Sequence, residues 1–145
     1  MKISTKGRYA LRLMTDLAAY DQDGYVSLKD VAERQKISPK YLEQIAGMLA
    51  KAGLLHSGRG AQGGYRLARE PKAYTVGEIL RLTEGNLAPV ACLPGAENRC
   101  ELCGECSTLD FWAGLYATVN EYLDRYTLAD LLKERQRKLK KSKLS

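Results

Sequence analysis

The residues with the most pointed chemistry in this chain are its four cysteines, Cys92, Cys100, Cys103 and Cys106. Three fall in a C-x2-C-x2-C run, and the fourth lies eight residues upstream. Thiolates select soft ions, chiefly zinc or iron–sulfur clusters, and an irregular segment can bring four sulfurs around one centre. Zinc sites usually pair two C-x2-C knuckles across a longer spacer, which this pattern lacks. Three close thiolates with one remote partner is nearer to iron–sulfur ligation. Their clustering argues against incidental thiols in a loop. A thiol oxidoreductase using Cys100 and Cys103 would need a lowered thiol pKa and an access cleft, and the acidic surroundings argue against that.

A second group could read nucleic acid. Ser38, Lys40, Tyr41, Glu43 and Gln44 open a helical segment whose Leu42, Ile45 and Leu49 face inward. Gln can read adenine with two hydrogen bonds, Glu can accept from cytosine, and Lys and Tyr can hold phosphates. Arg59 sits in Gly58-Arg59-Gly60-Ala61-Gln62-Gly63-Gly64, a loop small enough to approach a groove, where Arg can enter a narrow minor groove. Lys6, Arg8 and Arg12 read as phosphate contacts or as plain solvated charges, and their types do not separate the two. The lone His56 reads as a surface or partly packed residue, and Trp112 with the nearby tyrosines as core or subunit interface.

These residues need a frame. Tyr9, Ala10, Leu13, Met14, Leu17 and Ala18 recur at helical spacing behind Ser4-Thr5, and Asp21-Gln22-Asp23-Gly24 breaks the pattern. Ser27 caps a second helix with Leu28, Val31 and Ala32 inward; Ser38-Pro39 opens a third, which Gly53 ends. Short strands at 54–57 and 65–68 flank the glycine loop. The fold class predicted is mainly α with a small β-hairpin wing: a winged helix-turn-helix plus a long C-terminal dimerisation helix. The helix-turn-helix spans 28–35, 36–38 and 39–52. Thr75 caps a fourth helix to about Thr83, and 85–106 reads as a loop. Leu109, Trp112, Tyr116, Val119, Leu123 and Tyr126 step by three and four, the rhythm of a packed helix pair. A short helix restarts at 127–130. The expected organisation is a DNA-binding domain at 1–70, a cluster-binding loop with dimerisation helices at 71–132, and a basic, disordered tail at 133–145.

The chain has 145 residues, 45% hydrophobic and 28% charged, which suits one ordinary domain and excludes a large multidomain enzyme. No apolar stretch approaches the ~18 residues of a membrane span, and Met1-Lys2-Ile3-Ser4 carries no signal-peptide core. A soluble, cytoplasmic protein without membrane association is expected, and a reducing compartment disfavours disulfides. Charge is segregated. Residues 1–69 hold 12 basic and 6 acidic side chains, residues 70–132 hold 4 and 10, and residues 133–145 hold 7 and 1. The first segment is the one suited to a polyanion.

Lys6-Gly7-Arg8-Tyr9-Ala10, Ser38 with Tyr41-Leu42-Glu43-Gln44, Arg59-Gly60 with Gly63-Gly64-Tyr65, and Cys92, Cys100 and Cys106 ahead of Trp112 together resemble the IscR-type winged-helix transcription regulators. The resemblance covers nearly the whole chain except the basic tail. It implies a bacterial homodimer, a repressor rather than an enzyme, on a palindromic double-stranded DNA operator, with base or groove contacts from Glu43, Gln44 and Arg59. It implies a [2Fe–2S] cluster on Cys92, Cys100 and Cys106 that modulates DNA binding, and control of cluster-assembly genes. Relatives that sense nitric oxide or iron, some with a [4Fe–4S] cluster, are an alternative, as is a zinc-stabilised regulator with no sensing role. The histidine that follows the last cysteine in IscR-type proteins is replaced by Leu109, and the first-helix aspartate of nitric-oxide sensors by Arg8. Cys103 is the leading candidate for the fourth ligand, with Asp110 or a partner-chain residue as alternatives.

Overall fold

The computed structural model describes residues 1–93, 101–102 and 104–144. Side-chain oxygens start four of its helices, each accepting from an amide of the first turn that has no helical partner. Ser4 caps α1 (Thr5–Tyr20), Ser27 caps α2 (Leu28–Gln35), Ser38 caps α3 (Pro39–Lys51) and Thr75 caps α4 (Val76–Glu84). Between α3 and α4 lie strands β1 (Leu55–Gly58) and β2 (Gly64–Leu67), antiparallel with Leu55 opposite Leu67 and Gly58 opposite Gly64. Two long helices follow, α5 (Leu109–Arg125) and α6 (Leu128–Leu144). Among the described residues no helix is long and apolar enough to cross a membrane.

Helix α1 is the axis of the core. Its Ala10, Leu13, Met14 and Leu17 are fully buried against Val31 of α2, Leu42 and Leu49 of α3, Ile79 of α4 and Leu128 of α6. Each such leucine contributes about 1.5–3 kcal/mol by leaving water. Tyr74, Ile79 and Leu128 belong to the same cluster as α1–α3, so the boundary expected at residue 70 falls inside one continuous core.

The hairpin is wider than the sequence suggested. Val26 exchanges both backbone hydrogen bonds with Tyr65, at 2.8 and 2.9 Å, adding a rung from the segment before α2. That approach needs glycine at position 64: φ is +149°, and a Cβ would stand 2.1 Å from the Val26 carbonyl oxygen.

The disordered tail expected from 133 onward is instead the body of α6, continuous from Leu128 to Leu144. Leu128 is fully buried, Leu131, Leu132 and Arg135 are half-buried, and the guanidinium of Arg135 donates to the Tyr20 hydroxyl at 3.1 Å. Lys, Arg, Leu and Gln are good helix formers, so an anchored first turn propagates through the basic run.

A candidate nucleic-acid interface and cysteine segment

Burial of Leu42, Ile45, Ala46 and Leu49 turns the opposite face of α3 outward, leaving Lys40, Glu43 and Gln44 exposed. Ser38 is exposed, and its hydroxyl accepts from the Tyr41 amide at 3.5 Å. Tyr41, expected among the outward residues of α3, is turned outward only in part. It is half-buried, with its ring edge-on to Tyr9 of α1 at 5.8 Å between centroids. Arg8 and Arg12 lie 5.9 and 5.3 Å from the Tyr9 ring centroid. Lys6 shares a cavity of about 220 Å³ with Tyr41, Gln44 and Met48. Three cations of α1 thus stand beside the start of the presumed reading helix.

The turn between α2 and α3 is clamped from α1. Asp16 is fully buried and accepts from Arg34 Nε at 3.0 Å, Arg34 Nη2 at 2.7 Å and Gln35 Nε2 at 2.9 Å. That carboxylate holds the Arg34 guanidinium still more firmly in its charged form, and the guanidinium also lies 3.9 Å from the Tyr20 ring centroid. Arg12 donates to the Gln35 carbonyl and, at 3.1 Å, to Gln35 Oε1. Lys36 then takes a left-handed φ of +56°, which turns the chain into α3.

Arg59 is exposed at the hairpin tip. The base of the hairpin is pinned by Tyr74, which is fully buried; its hydroxyl donates to the Leu54 carbonyl at 2.6 Å and accepts from the Ala68 and Arg69 amides at 2.9 Å. Burial pushes the phenol pKa up from its ordinary value. Asp21 Oδ2 accepts from the Leu67 amide at 2.9 Å. His56 is exposed.

The cysteine segment leads into α5. Cys92 is half-buried and Cys106 is exposed. Cys106 Sγ lies 3.3 Å from Thr108 Oγ1, and that hydrogen bond holds its thiol below the ordinary value. Cys100 and Cys103 lie outside the described residues. Asp110 is exposed in the first turn of α5, and Leu109 begins it. Among the described residues no three metal-ligating groups converge. The donor chemistry of Cys92 and Cys106 nonetheless fits a soft-metal centre, with one sulfur sheltered and the other biased toward thiolate.

Helix α5 is held to α4 by Arg81, which donates to Asp124 at 2.7 and 3.0 Å and to Asn120 at 2.9 Å. None of its side chains is buried. Leu109, Trp112, Tyr116, Val119 and Leu123 are half-buried along one stripe, while Phe111 and Tyr122 are 66% and 52% exposed. Tyr126, expected in the packed stripe, is exposed too, because the chain leaves the helix there in an extended conformation.

Reading the sequence alone missed the Asp16–Arg34–Gln35 clamp, Tyr74 and the Arg81 brace. Asp16 carried a signal: it falls on the face of Leu13 and Leu17, where a carboxylate requires a cation.

The Rrf2 family model, described as an iron-dependent transcriptional regulator, matches residues 3–134. The chain is 44% identical over 131 residues to the HTH-type transcriptional regulator CymR of Bacillus subtilis, covering 90% of this chain and 89% of that one. It is 39% identical over 132 residues to IscR of Aliivibrio salmonicida, covering 91% of this chain and 77% of that one. The solved structure of CymR, the global cysteine regulator of B. subtilis, superposes with a TM-score of 0.76 at 41% identity, covering 92% of this chain and 98% of the other. The T. potens IscR structure superposes with a TM-score of 0.73 at 44% identity, covering 93% and 88%.

Proposed function

This chain belongs to the Rrf2 family of transcriptional regulators, and from that premise we propose that it binds a palindromic DNA operator as a homodimer whose affinity an iron–sulfur cluster adjusts. The observation that carries the DNA reading is the exposed Lys40, Glu43 and Gln44 face beside Lys6, Arg8 and Arg12. Lys40 and the α1 cations hold phosphates, Glu43 and Gln44 read base edges, Ser38 fixes the helix start, Tyr41 steadies it against Tyr9, and Arg59 enters the minor groove. Exposed Phe111 and Tyr122 on α5, with Tyr126 just after it, support a second copy as the partner, with paired α3 helices about 34 Å apart.

Cys92, Cys100 and Cys106 would hold the cluster, with Cys103 as fourth ligand. A [2Fe–2S] centre is the first choice and [4Fe–4S] the alternative. Cys92 and, just ahead of α5, Cys106 would be among the residues that hold it, and a bound cluster would supply redox-sensitive chemistry there. A tenfold change in operator affinity requires a bias of only about 1.4 kcal/mol between the two states. Repression of cluster-assembly genes belongs to the same reading, with double-stranded DNA and a second copy of the chain as its partners.

Anaerobic purification followed by iron, acid-labile sulfide and zinc analysis tests this. Iron and sulfide in comparable amounts, with visible absorbance lost in Cys92→Ala and Cys103→Ala, are expected. Zinc alone would leave a metal-stabilised regulator. Colourless protein free of both metals would favour a second reading, a cysteine regulator without a cluster, supported by the 44% identity to CymR.

A further inference from the structure

Helix α6 carries more charge than its packing uses. From Lys133 to Lys143 it holds seven basic residues and one acidic one, Glu134, which is paired with Arg137. Among the described residues Lys138, Lys140, Lys141 and Lys143 make no ion pair within 4 Å, and all four are exposed. The family match ends at residue 134, so these lysines lie beyond it.

The placement of Lys138 is specific. Leu128 and Leu131 anchor α6 near α4 and the middle of α1, and Arg135 reaches Tyr20. A cavity of about 620 Å³ then brings Lys138 and Leu139 together with Arg12 and Gln35. Gln35 is the last residue of α2, and Arg12 lies against Tyr9, whose ring meets Tyr41 at the start of α3. Cations therefore run from Lys6, beside α3, through Arg8 and Arg12 to Lys138 of α6, and Lys140, Lys141 and Lys143 follow exposed along the same helix.

We propose that the second half of α6, through Lys138, Lys140, Lys141 and Lys143, is a further DNA-contacting element that grips backbone phosphates flanking the site read by α3. This rests on the reading of α3 as a DNA-binding helix. Lysine is a compact point charge without the planar fork that reads guanine, so the contact adds affinity without base preference. Continuity with the α1 cations favours DNA over an acidic protein surface. The competing occupant is the acidic 70–132 stretch of a second copy.

The test uses the full chain and an operator selected from a randomised duplex pool. It is prepared as a core duplex and as one extended by ten base pairs on each side. Binding is followed by anisotropy across a salt series for the wild type, a quadruple variant (Lys138→Gln, Lys140→Gln, Lys141→Gln, Lys143→Gln) and a matching Lys→Arg variant. Each phosphate contact adds about 0.9 to the slope of log K against log salt. The wild type is expected to gain affinity and slope from the extensions. The glutamine variant should lose about two to four units of slope and tenfold or more in affinity on the long duplex only, and the arginine variant should match the wild type. Equal slopes for wild type and glutamine variant would overturn the proposal. So would an equal loss on both duplexes, which, with a smaller species in sedimentation, would assign the lysines to assembly. Selection of no duplex by the wild type would overturn the reading of α3 itself, and this proposal with it.

Discussion

Helices α1 and α5 are of similar length, 16 and 17 residues, and each is amphipathic, yet they are held in opposite ways. Seven residues of α1 are buried, including Asp16, whose carboxylate is held by Arg34 and Gln35 of α2. No side chain of α5 is buried, and its polar tie to the core is the half-exposed bridge from Arg81. The first helix is finished by its own chain, so the exposed Lys6, Arg8 and Arg12 built on it have a fixed frame. The second presents aromatic rings to solvent and stands next to a thiol-rich segment, the two features that another subunit or an inorganic centre would complete. Buried contacts are thus concentrated around the proposed DNA-reading frame, and unspent surface around the proposed partner and metal sites.

This contrast can be broken by substitution. Arg34→Ala should have the largest effect, a loss of about 3–5 kcal/mol in denaturant unfolding, because it leaves the fully buried Asp16 without its cation. Tyr74→Phe comes next, at about 1–3 kcal/mol, since the Leu54 carbonyl and two backbone amides lose their partner. The wild type should also lose stability above the ordinary tyrosine pKa. The folded state holds the phenol's proton more tightly than the unfolded chain, so Tyr74's contribution is complete below about pH 10 and falls as pH rises through the raised value. Thermal melts between pH 8 and 11 would show that loss, and Tyr74→Phe would lessen it.

On α5 the expectation reverses. Phe111→Asp should leave the far-UV spectrum intact while weakening self-association tenfold or more, about 1.4 kcal/mol, by analytical ultracentrifugation. Unchanged association would remove the argument that α5 awaits a second copy. Arg81→Ala is the smallest change, at about 0.2–1 kcal/mol, because both ends of its bridge to Asp124 are partly exposed. A loss as large as that of Arg34→Ala would erase the distinction between the two regions.

Much of the frame was legible. Ser27, Ser38-Pro39 and Thr75 marked helix starts because a capping oxygen must lie one position before the first turn. The glycines of 58–64 marked the hairpin because few other residues allow that backbone. The α6 helix was misread because a run of like charges resembles a solvated tail, and Leu131 and Leu139 are too sparse to announce a stripe. The ring contact of Tyr41 with Tyr9 was not legible, because spacing shows the direction of a side chain and not the ring that will meet it. At the cysteine segment, residue type alone suggested soft-metal chemistry, which stays a proposal. Spacing could not choose the fourth ligand, since an irregular loop has no period from which to infer convergence.

What the sequence determined by itself was local: where helices begin, which faces are apolar, where the chain must turn, and which residue types stand at the proposed sites. Tertiary structure alone decided the pairings, Asp16 with Arg34 across 18 residues, Ser4 with Glu84 across 80, and Arg135 with Tyr20 across 115. The reason is physical. Periodicity reports that a face will leave water, while the identity of what covers it depends on the packing of elements far apart along the chain.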